Sequence, residues 1–234
     1  MHLCNVQGGG AKLLKRVIIL GGHGDGVVIA SSIEDLRASG EGVVPYGFLN
    51  DHEPQGTFIS GLPVLGQIDE ADKFLDQKDI FFISAILKVK ESYDRAKRVD
   101  GLMIPLERFF TLIHPQATVS TRAKIGVGTF VGPHVNIMPN AVIGNHCSFR
   151  ASANIGHDCV IGDFCYMGPN STLSGRVHLG NGVHIGPNAS VLEKVELGDY
   201  CLIGMGSVVL KSVPDFSIAF GNPAKAQEKL EIDT

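Results

Sequence analysis

Tryptophan is absent, and only 7% of the 234 residues are aromatic. No apolar run approaches the roughly 20 residues that a membrane-crossing helix needs. Met1 to Arg16 lacks the apolar core of a secretory signal, and residues 1–15 read as a leader or a cloning remnant. A cytoplasmic, reducing compartment is therefore expected. Basic charge is short as well. Twenty Lys and Arg stand against 24 Asp and Glu, for a net charge of −4, which is no footprint for nucleic acid. Five cysteines form an odd set, which argues against a disulfide framework. Their spacing is not that of a zinc site. What is plentiful is glycine, 29 residues unevenly spread. That points to a turn-rich architecture rather than a helical bundle.

From Val119 to Val209 every sixth residue is large and apolar, sixteen times without a slip. Two residues before each stands Ala, Ser, Thr, Cys or Val, and glycine follows in ten of the sixteen cases. Alternation within a hexad marks a strand, because residues two apart share a face. Six is not a multiple of 3.6, so a helix cannot carry this pattern. The solution is a three-sided solenoid over 117–210, with 18 residues per coil and neighbouring coils about 4.8 Å apart. The pattern resembles that of the hexapeptide-repeat acyltransferases, and this resemblance implies a left-handed parallel β-helix.

An 18-residue coil lets positions be stacked from the sequence. The first corner column reads Val127, Asn145, Asp163, Asn181 and Asp199, each preceded by glycine. The second reads Pro133, Ala151, Pro169, Pro187 and Met205, preceded by glycine except at Arg150. The third reads Thr121, Pro139, His157, Gly175, Glu193 and Lys211, where only Gly156 supplies the glycine. That corner breaks the structural rule and carries one histidine, and such departures are where function is expected. Cys147, Cys159, Cys165 and Cys201 take the small inward position and read as small buried hydrophobes.

The front of the chain alternates strands and helices, which implies a small parallel α/β domain over 16–112. Val17–Leu20 reads as a strand, Gly21 to Gly26 as a turn, and Val27 to Arg37 as a helix. Further strands are expected at Val43–Leu49, Ile80–Ile86 and near Phe109–Ile113, with a helix over Glu91–Val99. The turn departs from the dinucleotide fingerprint, because Val27 stands where a third glycine belongs. Two readings stand for it: a tight connection, or helix N-terminal amides that hold a diphosphate. Asp51 ends the second strand, either as a turn residue or as an acceptor for a ribose or base. His23 sits over the phosphates in one reading and caps the turn in the other. Past the solenoid (113–212), residues 213–234 form an extension.

Together these pieces resemble the sialic-acid O-acetyltransferase and bacterial amino-sugar N-acetyltransferase group, over nearly the whole chain after Arg16. The segments that carry it are GGHGDGVV at 21–28, YGFLND at 46–51, GLPVLG at 61–66, HPQATVS at 114–120, GHDCVIGDF at 156–164 and GNPAK at 221–225. The resemblance implies a homotrimer with acetyl-CoA in the groove between subunits, no metal, and a nucleotide-linked 4-amino-4,6-dideoxy sugar as acceptor. GDP-perosamine is favoured over UDP- and dTDP-sugars. It implies that His157 is the general base, with Asp158 orienting it. Gly22, His23, Gly24 and Asp51 then belong to the nucleotide sugar, and Gly175, Gly186, Pro223 and Lys225 to CoA. Many relatives carry a second histidine at the place of Tyr166, where it contacts the acetyl group. Either the tyrosine hydroxyl replaces it, or backbone amides near Gly175 hold the oxyanion.

An imidazole suits the base role because it titrates near neutrality. Asp158 has a structural alternative, since it stacks between Asn140 and Arg176. Three rival functions are sialic-acid-type O-acetylation, a non-catalytic sugar-nucleotide scaffold, and a metallo-lyase on the same solenoid. The last needs convergent histidines, yet no two of His134, His146, His157, His178 and His184 stand 18 residues apart.

Overall fold

A computed structural model describes residues 14–86 and 92–229. Most of the expected leader lies outside the described residues, as do Cys4 and Glu91. Among the described residues no helix is long and apolar enough to cross a membrane.

The front half is built on β1 (Lys15–Leu20), whose Val17 to Leu20 are fully buried. An unbroken apolar run suits a central parallel strand, covered on both faces. β1 pairs in parallel with β2 (Val43–Leu49), and helix α1 (Asp25–Ala38) connects the two. Beyond β2 come a two-residue strand, β3 (Phe58–Ile59), and β4 (Leu62–Gly66), which lies parallel to β2. β5 (Ile80–Ser84) pairs with the other side of β1, so the sheet order is β3-β4-β2-β1-β5. Helix α2 (Ser92–Asp100) follows.

The strand expected near Phe109–Ile113 does not join this sheet. Phe109 makes a single bridge to Phe82, while Leu112–Ile113 pairs with Phe130–Val131 in the solenoid. Leu112 stands 18 residues before Phe130, in step with the hexads, so its backbone finds the open end of the coil stack. The sheet's remaining parallel strand is β4, inside the GLPVLG segment, where a proline within five residues masks the strand signal.

From Leu112 onward two-residue strands stack in parallel into three faces, which number six, five and, with the two strands of a terminal hairpin, eight strands. Every pairing between hexads joins residues 18 apart, such as Asn136 with Asn154 and Ile155 with Leu173. The eight-stranded face ends in an antiparallel hairpin, Ser217–Gly221 and Ala224–Lys229. The large hexad residues from Val131 to Val209 fill one continuous interior. The four cysteines point inward, and their thiols donate to the next coil, as from Cys165 Sγ to the Gly180 carbonyl at 3.1 Å.

From Gly128 to Gly206 each corner turns through a residue with positive φ, among them Asn140, Asp158, Asn170 and Asn188. Short polar side chains tolerate this conformation best. The first corner carries a further device. Asp163 Oδ1 accepts the Asn145 N–H at 2.6 Å, Asn181 Oδ1 accepts that of Asp163 at 3.0 Å, and Asp199 Oδ1 that of Asn181 at 2.6 Å. The Asn/Asp column is thus a ladder that satisfies amides the corner takes out of the sheet.

Two helices bind the halves together. Ile29, Ala30 and Ile33 of α1 pack in one cluster with Leu112 and Phe130 of the eight-stranded face. On the other side, Tyr93 of α2 meets the Tyr200 ring edge-on at 5.2 Å. Arg95, 7% exposed, lies over the Phe164 ring and donates through Nη2 to the Phe164 carbonyl.

Candidate active site

A cleft of about 530 Å³ opens past the C-terminal ends of β1, β2 and β5, at Gly21, Asn50 and Ala85. β1 lies between β2 and β5, so chain connections diverge at this point. That is the usual ligand crevice of an open α/β sheet. Gly24 caps α1 with a positive φ (70°) and no side-chain cap bond. His23 does not cap the turn. It is exposed on the cleft wall, with Nε2 3.1 Å from Glu53 Oε1. Gly22 is pressed against the Asn50 amide, which leaves no room for a Cβ. Asn50 Oδ1 in turn accepts the N–H groups of His52 and Glu53 at 2.8 and 2.9 Å and orders the facing loop.

Asp51 is engaged on both oxygens: Oδ1 accepts the Ile68 N–H at 2.9 Å, and Oδ2 lies 3.1 Å from Arg98. Sequence reasoning missed Arg95 and Arg98, which line the same cleft. On a polar helix such as SYDRAKRVD an arginine reads as a solvated charge, and nothing local separates the buried Arg95 from the more open Arg98.

The second cluster lies on the irregular corner. His157 Nδ1 is 2.7 Å from Asp158 Oδ2, and Asn140 Nδ2 donates to Asp158 Oδ1 at 2.9 Å. The left-handed Asp158 (φ 58°) directs its carboxylate back onto the preceding imidazole. The hydrogen bond from His157, and then that from Asn140, hold the Asp158 carboxyl below the usual carboxylate range. An ionised carboxylate only accepts, so in the neutral ring it is Nδ1 that carries the proton and Nε2 that keeps the lone pair. Nε2 faces the next coil, where a Cβ on Gly175 would stand 2.5 Å from it. The stacked pair of Asp158 with Arg176 does not form. Both Asp158 oxygens are taken, and Arg176 Nη1 turns to Glu193 Oε1 at 2.6 Å. Along the same edge Met138, Leu192 and Leu210 are about half exposed. They occupy positions where the other corners mostly carry glycine, Met138 one coil before Gly156 and Leu192 and Leu210 two and three coils after it, with Ser174 between.

Tyr166 lies elsewhere, on the eight-stranded face, and no described contact joins it to His157 within one chain. Its ring stacks on His184 at 4.4 Å, and the Arg150 guanidinium lies 5.6 Å from its centroid. Burial pushes its pKa up, so the phenol remains an O–H donor. Gly186 turns the second corner, where a Cβ would meet the Met205 amide at 2.6 Å. Pro223 and Lys225 are exposed on the terminal hairpin.

Burial lowers the His184 pKa from 6.5 to about 4. Between those values the unfolded chain binds a proton that the folded chain refuses, so stability falls as pH drops. Relative to His184→Phe, the protein is expected to lose about 1.4 kcal/mol per pH unit between roughly pH 6.5 and 4. Urea unfolding of both proteins across that range is the check. Parallel pH profiles would refute it.

Residues 140–175 and 176–211 each match the bacterial transferase hexapeptide (six repeats) family. No curated protein sequence matches the chain. Among solved structures, a perosamine N-acetyltransferase variant from Caulobacter crescentus, in complex with CoA and GDP-perosamine, is 30% identical over 91% of this chain and 97% of its own, with a TM-score of 0.79. The chain belongs to the hexapeptide-repeat acetyltransferases. The acetyltransferase domain of PglB from Neisseria gonorrhoeae, in complex with acetyl coenzyme A, is 28% identical over 91% of this chain and 99% of its own (TM-score 0.78). WeeI from Acinetobacter baumannii shares the fold at 23% identity, over 91% of this chain and 100% of its own, with a TM-score of 0.69. In this hexapeptide-repeat acetyltransferase, His157, Asp158, Tyr166 and Gly175 all fall inside the first matched segment, and the solenoid is the left-handed β-helix of its family.

Proposed function

We propose that this acetyltransferase moves the acetyl group of acetyl-CoA to the 4-amino group of a nucleotide-linked 4-amino-4,6-dideoxy sugar. The observation that carries the reading is the Asn140–Asp158–His157 chain, which occupies Nδ1 and turns Nε2 toward a glycine on an exposed edge. Nε2 takes the proton of the amine as it attacks the thioester carbonyl. The C–N bond forms, the C–S bond breaks, and the departing thiolate receives that proton from the imidazolium. No covalent acyl-enzyme is needed, because both substrates meet in one complex. A backbone N–H near Gly175 supports the oxyanion, and the Tyr166 hydroxyl is a second donor if a neighbouring copy brings it to the edge. The exposed apolar side chains Met138, Leu192 and Leu210 on this edge suit a pantetheine arm and a neighbouring subunit, in a trimer with acyl transfer between copies.

The acceptor's nucleotide belongs in the cleft at Gly22 and His23, with Asp51, Arg95 and Arg98 around it and Gly24 beside it as the cap of α1. GDP-perosamine is the favoured acceptor, supported by the full-length likeness to a protein solved with that compound. Gly186, Pro223 and Lys225 are assigned to CoA. The test is thiol release from acetyl-CoA with a panel of GDP-, UDP- and dTDP-linked 4-amino sugars. Turnover with one or more of them is expected, greatest with GDP-perosamine. Release with a free sialic acid and none of the panel would overturn the assignment.

A further inference from the structure

The second corner has one exception to its glycine rule, at Arg150. This side chain does not point to solvent. It is 5% exposed, and its guanidinium lies between two rings, 5.3 Å from Phe130 and 5.6 Å from Tyr166. Nη2 reaches Asp25 Oδ1 at 2.6 Å, close enough for an ion pair although off the line of a good hydrogen bond. Nε, Nη1 and Nη2 have no hydrogen-bond acceptor. A buried cation this poorly satisfied by hydrogen bonds is held for its charge, since burial without full pairing costs stability.

Asp25 is the first residue of α1, directly after the Gly22-His23-Gly24 turn. A carboxylate there already occupies the electropositive end of the helix. It carries the same sign as a diphosphate arriving at that turn. We infer that Arg150 is a positioning residue of the solenoid which neutralises Asp25 and so keeps the turn receptive to the acceptor's diphosphate. The inference rests on the reading of the cleft as the nucleotide-sugar site. It adds how that site depends on the other half of the chain. The planar guanidinium is suited to a slot between two rings, which a lysine ammonium fills poorly.

The experiment measures nucleoside diphosphate binding by calorimetry, using whichever of GDP, UDP and dTDP the unmodified protein binds, together with steady-state kinetics. Arg150→Met is expected to weaken nucleotide binding and raise the acceptor KM by about tenfold or more, while the KM for acetyl-CoA stays within about twofold. Arg150→Lys, which keeps the charge without the stacking, should fall between. The deciding variant is Arg150→Met combined with Asp25→Asn. If the role is charge neutralisation, removing the unpaired carboxylate restores nucleotide affinity to within about threefold. A packing role predicts no such recovery. Wild-type affinity in folded Arg150→Met, or a double variant as weak as the single one, overturns the inference. If the unmodified protein binds no nucleotide, it is the reading of the cleft that fails, and the inference falls with it.

Discussion

Replacing His157 by Asn is expected to lower kcat by about a thousandfold, within the range that loss of a general base produces. The asparagine amide has no lone pair of comparable basicity, yet it keeps a similar shape and can still meet Asp158. Binding of acetyl-CoA and the thermal stability of the protein should therefore change little, because the side chain is half exposed and forms no part of the interior. Thiol release under saturating substrates, with calorimetric titration of CoA, separates the two effects. Asp158→Asn should cost less. It leaves Nδ1 without its anionic acceptor, so the tautomer with Nε2 free is no longer favoured. Near-normal turnover in His157→Asn would remove the base from the mechanism.

Gly175→Ala is expected to cost about a hundredfold in kcat. The added methyl would lie 2.5 Å from His157 Nε2, 2.7 Å from Cε1 and 3.1 Å from Cδ2, so the imidazole must swing away from the edge. These neighbours are all side-chain atoms of a half-exposed ring, which can move cheaply, so the fold is expected to survive. This differs from Gly162→Ala, where the new atom would meet the Gly180 backbone at 2.7 Å and the coil stack itself must open. Activity loss without a fall in melting temperature marks the Gly175 effect. Wild-type kcat in Gly175→Ala would mean that the ring's present position is irrelevant to transfer.

Much of this was legible beforehand, because a solenoid converts sequence distance into spatial distance. The 18-residue coil placed Asn140 beside Asp158, and Gly175 one coil after His157, and both neighbours are as expected. The same arithmetic put Arg176 beside Asp158. There it failed, because stacking fixes the backbone while a long side chain chooses among carboxylates. The front half was less legible. Its strands β1 and β2 stand out as apolar runs, but β4 is short and interrupted by proline, and the residues near Phe109–Ile113 changed sheets. That Tyr166 stands near the acetyl group is implied by the family resemblance and not by spacing within the chain. From His157 to Tyr166 is nine residues, half a coil, and that places the two on different sides of one prism.

What the sequence alone determined is the β-helix, its irregular edge and the histidine on it, because a strict period of six leaves the chain one way to bury its apolar residues. What only the tertiary structure decided is how the two halves meet. Arg95 reaches across 69 residues to the Phe164 carbonyl, and Arg150 crosses to Asp25. No periodicity encodes such pairs. They depend on how α1 and α2 dock on the solenoid, and a charged side chain reads as solvated until that docking takes its water away.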